Sequence, residues 1–153
     1  MNDFSGFPDG KVKFTRIPET FFSELLPQID HLGELKVTIY ALWHLEHRSG
    51  AFRYLRDRDF SEDERFMFGL AATPEAAEST LRESLQRAVE RGTLLEVDLE
   101  KQPIYFINTP KGRAAVAAIQ KGEWRPQNDE DIAVALRPTP SNIFELYEQN
   151  IGP

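Results

Sequence analysis

The chain contains no cysteine. That excludes a disulfide framework and any thiolate-held metal, and it is compatible with a reducing compartment. Positive charge is also in short supply: 18 Lys and Arg stand against 25 Asp and Glu, for a formal net charge of −7. Affinity for nucleic acid rests first on cations that displace counterions from phosphates, so this sign argues against DNA as the sole partner while leaving room for a local basic patch. Long apolar runs are missing, and none approaches the roughly 20 residues needed to span a bilayer. Residues 1–10 lack the basic stretch and apolar run of a secretory signal. No membrane association is expected, and the expected location is the cytoplasm. Gly-rich phosphate loops and a recognisable nucleophile motif are absent, and the acidic runs lack the ligand order of a calcium loop. The chain is therefore expected to be no enzyme and to carry no cofactor.

What is present suffices for a core. Hydrophobic residues make up 41% of 153 residues and aromatics 11%, which suits one domain with a tail. Residues 11–17 alternate polar with apolar, the period of a half-buried strand. Pro18 opens a short helix with Phe21, Phe22, Leu25 and Leu26 on one side, and Pro27 ends or bends it. Leu32, Leu35, Ile39 and Leu42 recur at helical spacing over 31–48, with Val37, Tyr40, Trp43 and His44 adding a second apolar side; such a helix is usually the most buried one. A short strand is expected over 52–55. Ser61-Glu62-Asp63-Glu64 reads as a capping box opening a short helix that ends near Gly69. Thr73-Pro74 starts a longer helix running to Arg91 and stopped by Gly92, with Leu81, Leu85, Ala88 and Val89 as its buried stripe. Leu95 to Leu99 and Ile104 to Ile107 read as a β-hairpin. Thr109-Pro110 opens a last, Ala-rich helix closed by Gly122. Residues 123–141, with three prolines and an acidic run, read as a linker, and Asn142 to Tyr147 as the start of another helix.

The expected fold class is α+β, mainly helical: a winged helix-turn-helix over about 52–108, with an extra N-terminal strand and helix and a C-terminal helix. Winged helices that read DNA place the second helix of the pair in the major groove, which makes Arg82, Arg87 and Arg91 candidate DNA contacts. Four glutamates share that helix, and Glu96, Asp98 and Glu100 face Lys101 in the hairpin, so a solvated face with ion pairs such as Glu83–Arg87 is the competing reading. Lys11, Lys13 and Arg53 are the remaining cationic candidates. His44 and His47 lie three apart, but no third metal ligand is evident. Val12, Phe14, Ile17, Phe21, Phe22 and Leu25 bring enough apolar area to form an interface with a second copy, or else to complete the core.

Two stretches resemble bacterial DnaD-type replication proteins. Phe52-Arg53-Tyr54-Leu55 through Ala88-Val89-Glu90-Arg91-Gly92-Thr93-Leu94-Leu95 is similar to the winged-helix N-terminal domain of that family. Asn142-Ile143-Phe144-Glu145-Leu146-Tyr147 through Asn150-Ile151-Gly152-Pro153 looks like the first helix of its C-terminal domain. The resemblance implies a winged-helix domain over 1–122, a linker over 123–141 and the start of a truncated second domain over 142–153. It further implies that the N-terminal domain forms homodimers or larger assemblies and touches replication-initiation (primosome) proteins, with DNA bound chiefly by the missing C-terminal domain. The alternative is a winged-helix transcriptional regulator binding DNA through residues 74–91.

Overall fold

The structure, a computed structural model, describes residues 4–126. The expected second-domain start at 142–153 lies outside the described residues, as does most of the expected linker. The described chain divides into two units, 4–48 with 54–108 and 49–53 with 109–126.

In the first unit, α1 (Leu32–Glu46) and α4 (Pro74–Arg91) carry the main packing, with β1 (Leu55–Arg56), α2 (Asp57–Ser61) and α3 (Glu64–Phe68) between them in sequence. β2 (Leu94–Leu99) and β3 (Gln102–Ile107) follow α4 as an antiparallel hairpin, and β1 pairs the far side of β3, giving the order β1-β3-β2. The protein is thus α+β with one small antiparallel sheet. Val37, Ala41 and Leu45 of α1 meet Leu81, Leu85 and Ala88 of α4, with Phe60, Leu55, Leu94 and Tyr105 completing a dry core.

Local chemistry sets the boundaries of α4 where expected. Thr73 Oγ1 accepts the Ala76 N–H at 3.1 Å, Pro74 occupies the first turn, and Gly92 takes the left-handed conformation at φ 92°. α1 is capped less commonly: His31 Nδ1 accepts the Glu34 N–H at 3.0 Å. Glu34 itself is fully buried, and Arg91 clamps it with Nε 2.6 Å from Oε2 and Nη2 3.1 Å from Oε1. At the same crossing the helices approach closely. A Cβ on Gly33 would run into Ser84 Oγ and lie 3.0 Å from Thr80 Cγ2.

Several expectations are corrected. Residues 11–17 form no strand, because alternation supplies faces but no pairing partner, and the three strands among the described residues lie beyond residue 54. The Arg16 N–H instead donates to Glu46 Oε1 at 3.0 Å. The helix after Pro18 is a π turn, Phe21–Leu25, followed by a 3₁₀ turn, Leu26–Gln28, since Pro27 has no N–H to continue an α ladder. Ser61 caps nothing: it is the last residue of α2, and Asp63 caps α3 by accepting the Phe66 N–H at 3.1 Å. The strand expected over 52–55 is displaced and shortened to Leu55–Arg56, sharing only Leu55 with the expected span.

The second unit holds α5 (Pro110–Gln120), which Thr109 caps by accepting the Gly112 N–H at 3.0 Å. After α5 the chain turns back, with the Glu123 N–H on the Ala118 carbonyl at 2.8 Å, and Trp124 meets Phe52 edge-on at 5.0 Å.

The crossing at Gly33 is testable. Gly33→Ala is expected to lower stability by about 1–2 kcal/mol, the overpacking cost outweighing the helix-propensity gain. Ser84→Ala alone is expected to cost under about 1 kcal/mol, since its buried hydroxyl has no hydrogen-bond partner. The double variant should regain most of the loss because the two side chains no longer collide, a coupling that urea midpoints of the four proteins would read.

Candidate interaction surfaces

The arginines expected to meet DNA do not form one surface. Arg91, in the last turn of α4, is turned inward onto Glu34 and lies 3.8 Å from Asp30. Arg87 is paired along the helix, its Nη2 3.2 Å from Glu83 Oε2. Arg82 is the exposed one, on the wall of a hollow of about 610 Å³ whose other charged residues are Asp57, Glu78, Glu90 and Glu96. The hollow's electrostatics are written on Tyr105. Burial, then the carboxylates of Asp57 and Glu96, push its phenol well above the usual range, so the group stays protonated. An incoming phosphate would meet four carboxylates against one guanidinium.

The other cationic candidates lie apart from that helix in the chain. Lys11 and Lys13 are exposed on the N-terminal arm, and Arg53 is exposed in the second unit. Over residues 54–108 seven cations oppose twelve carboxylates, whereas over 4–48 five oppose six. The acidity is concentrated on the part of the first unit that would have to grip DNA.

Apolar surface is distributed in the opposite way. Every exposed large hydrophobic residue among the described ones falls between positions 4 and 68. Of the expected interface residues, Phe14 is 85% and Phe22 52% exposed, Val12, Ile17 and Leu25 are half-buried, and Phe21 turns inward to join the core at 5%. The arm adds Phe4 and Phe7, which pack edge-on against each other at 5.1 Å. α1 contributes a surface that sequence reasoning missed. Leu32, Ile39 and Trp43, at intervals of seven and four, stay exposed on one stripe. Apolar residues on two sides suggest a central helix, yet among the described residues this stripe, drawn from both sides, stays exposed while Val37, Ala41 and Leu45 pack against α4.

A polar cluster joins α1 to α2 and α3. The Tyr40 hydroxyl donates to Asp63 Oδ2 at 2.7 Å, and Arg48 is paired with Asp59. His47 Nδ1 lies 2.9 Å from the Trp43 carbonyl, whereas the buried Nδ1 of His44 has no hydrogen-bond partner. The two histidines do not converge on a third ligand, and no metal-binding group of three or more His, Asp or Glu occurs among the described residues. None of the described helices is long and apolar enough to cross a membrane.

This cluster sets a pH response. Burial lowers the His44 pKa from its ordinary value of 6.5, helped by Arg48 and His47 and opposed by Asp59 and Asp63. As pH falls below 6.5 the unfolded chain takes up a proton that the folded site resists, so stability should decline until the folded site itself protonates. Asp63 acts lower down: the Tyr40 hydroxyl and the Phe66 N–H hold its carboxyl below the usual range, and that stabilisation is lost as pH falls through the shifted value. Urea midpoints at about pH 7.5 and about pH 5.5 should show the first decline, and His44→Gln should flatten it.

No protein-family model, no curated protein and no solved structure matches this chain.

Proposed function

We propose that this chain is a winged-helix protein-interaction and oligomerisation module, of the kind found in DnaD-like replication-initiation proteins, with at most weak DNA binding of its own and no catalysis. The fold part of this reading is supported by the order α1, β1, two short helices, α4, hairpin, and by the strand order β1-β3-β2. α3 and α4, joined by residues 69–73, are the helix-turn-helix pair, and β2–β3 is the wing. The replication assignment rests on the sequence resemblance set out above, and its partners would be a second copy of the chain and replication-initiation proteins.

One observation carries the functional reading: the separation of surfaces. The helix and wing that would read DNA are acidic, and two of the three α4 arginines are committed to carboxylates of the same chain. The exposed apolar side chains gather instead on the N-terminal arm, the turns that follow it, α1 and Phe68. Exposed large apolar side chains concentrated in one part of the chain support a protein-contact reading.

Light scattering and sedimentation on the full chain, from about 10 μM to about 1 mM, test the reading. A mass that rises to at least the dimer is expected, and a strict monomer throughout overturns it. Trp43→Glu, which places a charge in the exposed stripe of α1, is expected to weaken association about ten-fold or more.

The second reading, a DNA-binding regulator, has one feature in its favour: Arg82 is exposed on α4. It requires duplex binding that weakens steeply with salt and is lost in Arg82→Ala. Absence of a duplex complex at about 50 mM salt removes it.

A further inference from the structure

Strand β2 is an edge of the sheet. Its Glu96 and Asp98 face one side with Leu94, and Leu95, Val97 and Leu99 face the other, half-buried. Toward β3 every residue of β2 has a partner; on its outer side no strand pairs with it among the described residues. An open edge invites another strand, and natural sheets commonly guard such an edge with charge. Here the guard is selective. Two β2 edges brought together would oppose Glu96 and Asp98 to their own copies, whereas a strand with cations at alternate positions would be drawn in.

The N-terminal arm has that pattern. Lys11 and Lys13 fall on one side of an extended chain, and Val12 and Phe14 on the other. All three of Lys11, Lys13 and Phe14 are exposed, and residues 11–15 have no strand partner among the described residues, where the neighbouring Arg16 N–H is held by Glu46 of α1. We propose that residues 11–15 of one copy add as a fourth strand to the β2 edge of a second copy. One register parity satisfies both faces: Lys11 and Lys13 meet Glu96 and Asp98, beside the acidic wall of the hollow, while Val12 and Phe14 cover Leu95, Val97 and Leu99. A slip of one residue would set each lysine against a leucine or valine, so the pairing is specified. Arg16 stays anchored on its own α1 and acts as the hinge from which the arm crosses. Reciprocal exchange, each copy giving one arm and receiving one, closes a two-fold dimer.

The proposal rests on the self-association reading and names its contact, and a charge swap separates the two. Sedimentation equilibrium of the full chain compares the wild type with Lys11→Glu/Lys13→Glu, with Glu96→Lys/Asp98→Lys, and with all four substitutions together. Each double variant is expected to weaken the dimer about ten-fold, through lost ion pairs and new like-charge contacts. The quadruple variant is expected to return to within about three-fold of wild type, and the wild-type dimer should weaken with salt. Wild-type association that ignores both charge pairs, or that the quadruple variant does not recover, overturns the proposal and leaves the broader reading standing. A wild-type monomer ends both.

The absence of cysteine allows a second readout that does not depend on association strength. A Lys13→Cys chain mixed with a size-tagged Glu96→Cys chain should form a mixed disulfide under mild oxidation, because both positions project from the same face. Phe14→Cys with the same partner should not. Equal trapping of the two pairs, or none of either, counts against the pairing.

Discussion

The burial of one charge governs the architecture. Glu34 is removed entirely from water in the first turn of α1, and an ion so placed must be paired and hydrogen-bonded or it does not stay charged. Arg91 meets that demand with two parallel contacts from the last turn of α4, the fork geometry that suits a guanidinium. One turn of each helix is thereby fixed against the other. Gly33, next to Glu34, lets the backbones close to a distance that a side chain would forbid. The pair does more for register than for net stability, since desolvation offsets much of the attraction between buried ions.

That constraint reaches the surface. With α4 held along α1 through Ser84, Thr80 and Arg91, its other flank carries Glu78, Arg82 and Glu90 into the hollow beside Glu96. The cation that locks the helices is withdrawn from the face a DNA phosphate would approach. The crossing of α1 with α4 and the acidic lining of the hollow therefore come from the same packing.

Features governed by local chemistry were legible in the sequence. Thr73-Pro74 and Gly92 bound α4 because caps and backbone conformation are decided within a few residues, and the hairpin followed from an alternating run and an apolar run around a short polar join. Features that depend on a partner elsewhere were not. The arm alternates like a strand but pairs with none among the described residues. Ser61-Glu64 satisfied a capping pattern, yet Asp63 took the cap and Asp59 the Arg56 N–H, because α2 had already claimed Ser61. Arg91 looked like a DNA contact because nothing local reveals that Glu34, 57 positions earlier, lies buried beside it. The exposed stripe Leu32–Ile39–Trp43 was missed for the converse reason: apolar periodicity reports which faces avoid water, not which chain covers them.

Charge decides where a chain of net −7 can meet a copy of itself. Residues 54–108, with twelve carboxylates against seven cations, repel the same region of another molecule across a screening length of about 8 Å. Residues 4–48 are nearly balanced and hold most of the exposed apolar side chains, so they can approach either themselves or the acidic half without that penalty. An arm that alternates lysine with apolar residues turns the repulsion into selectivity. It can be attracted to the acidic half of a neighbour, while two acidic halves cannot be attracted to each other. The acidity that weakens the case for DNA would thus favour the directed contact between copies proposed above.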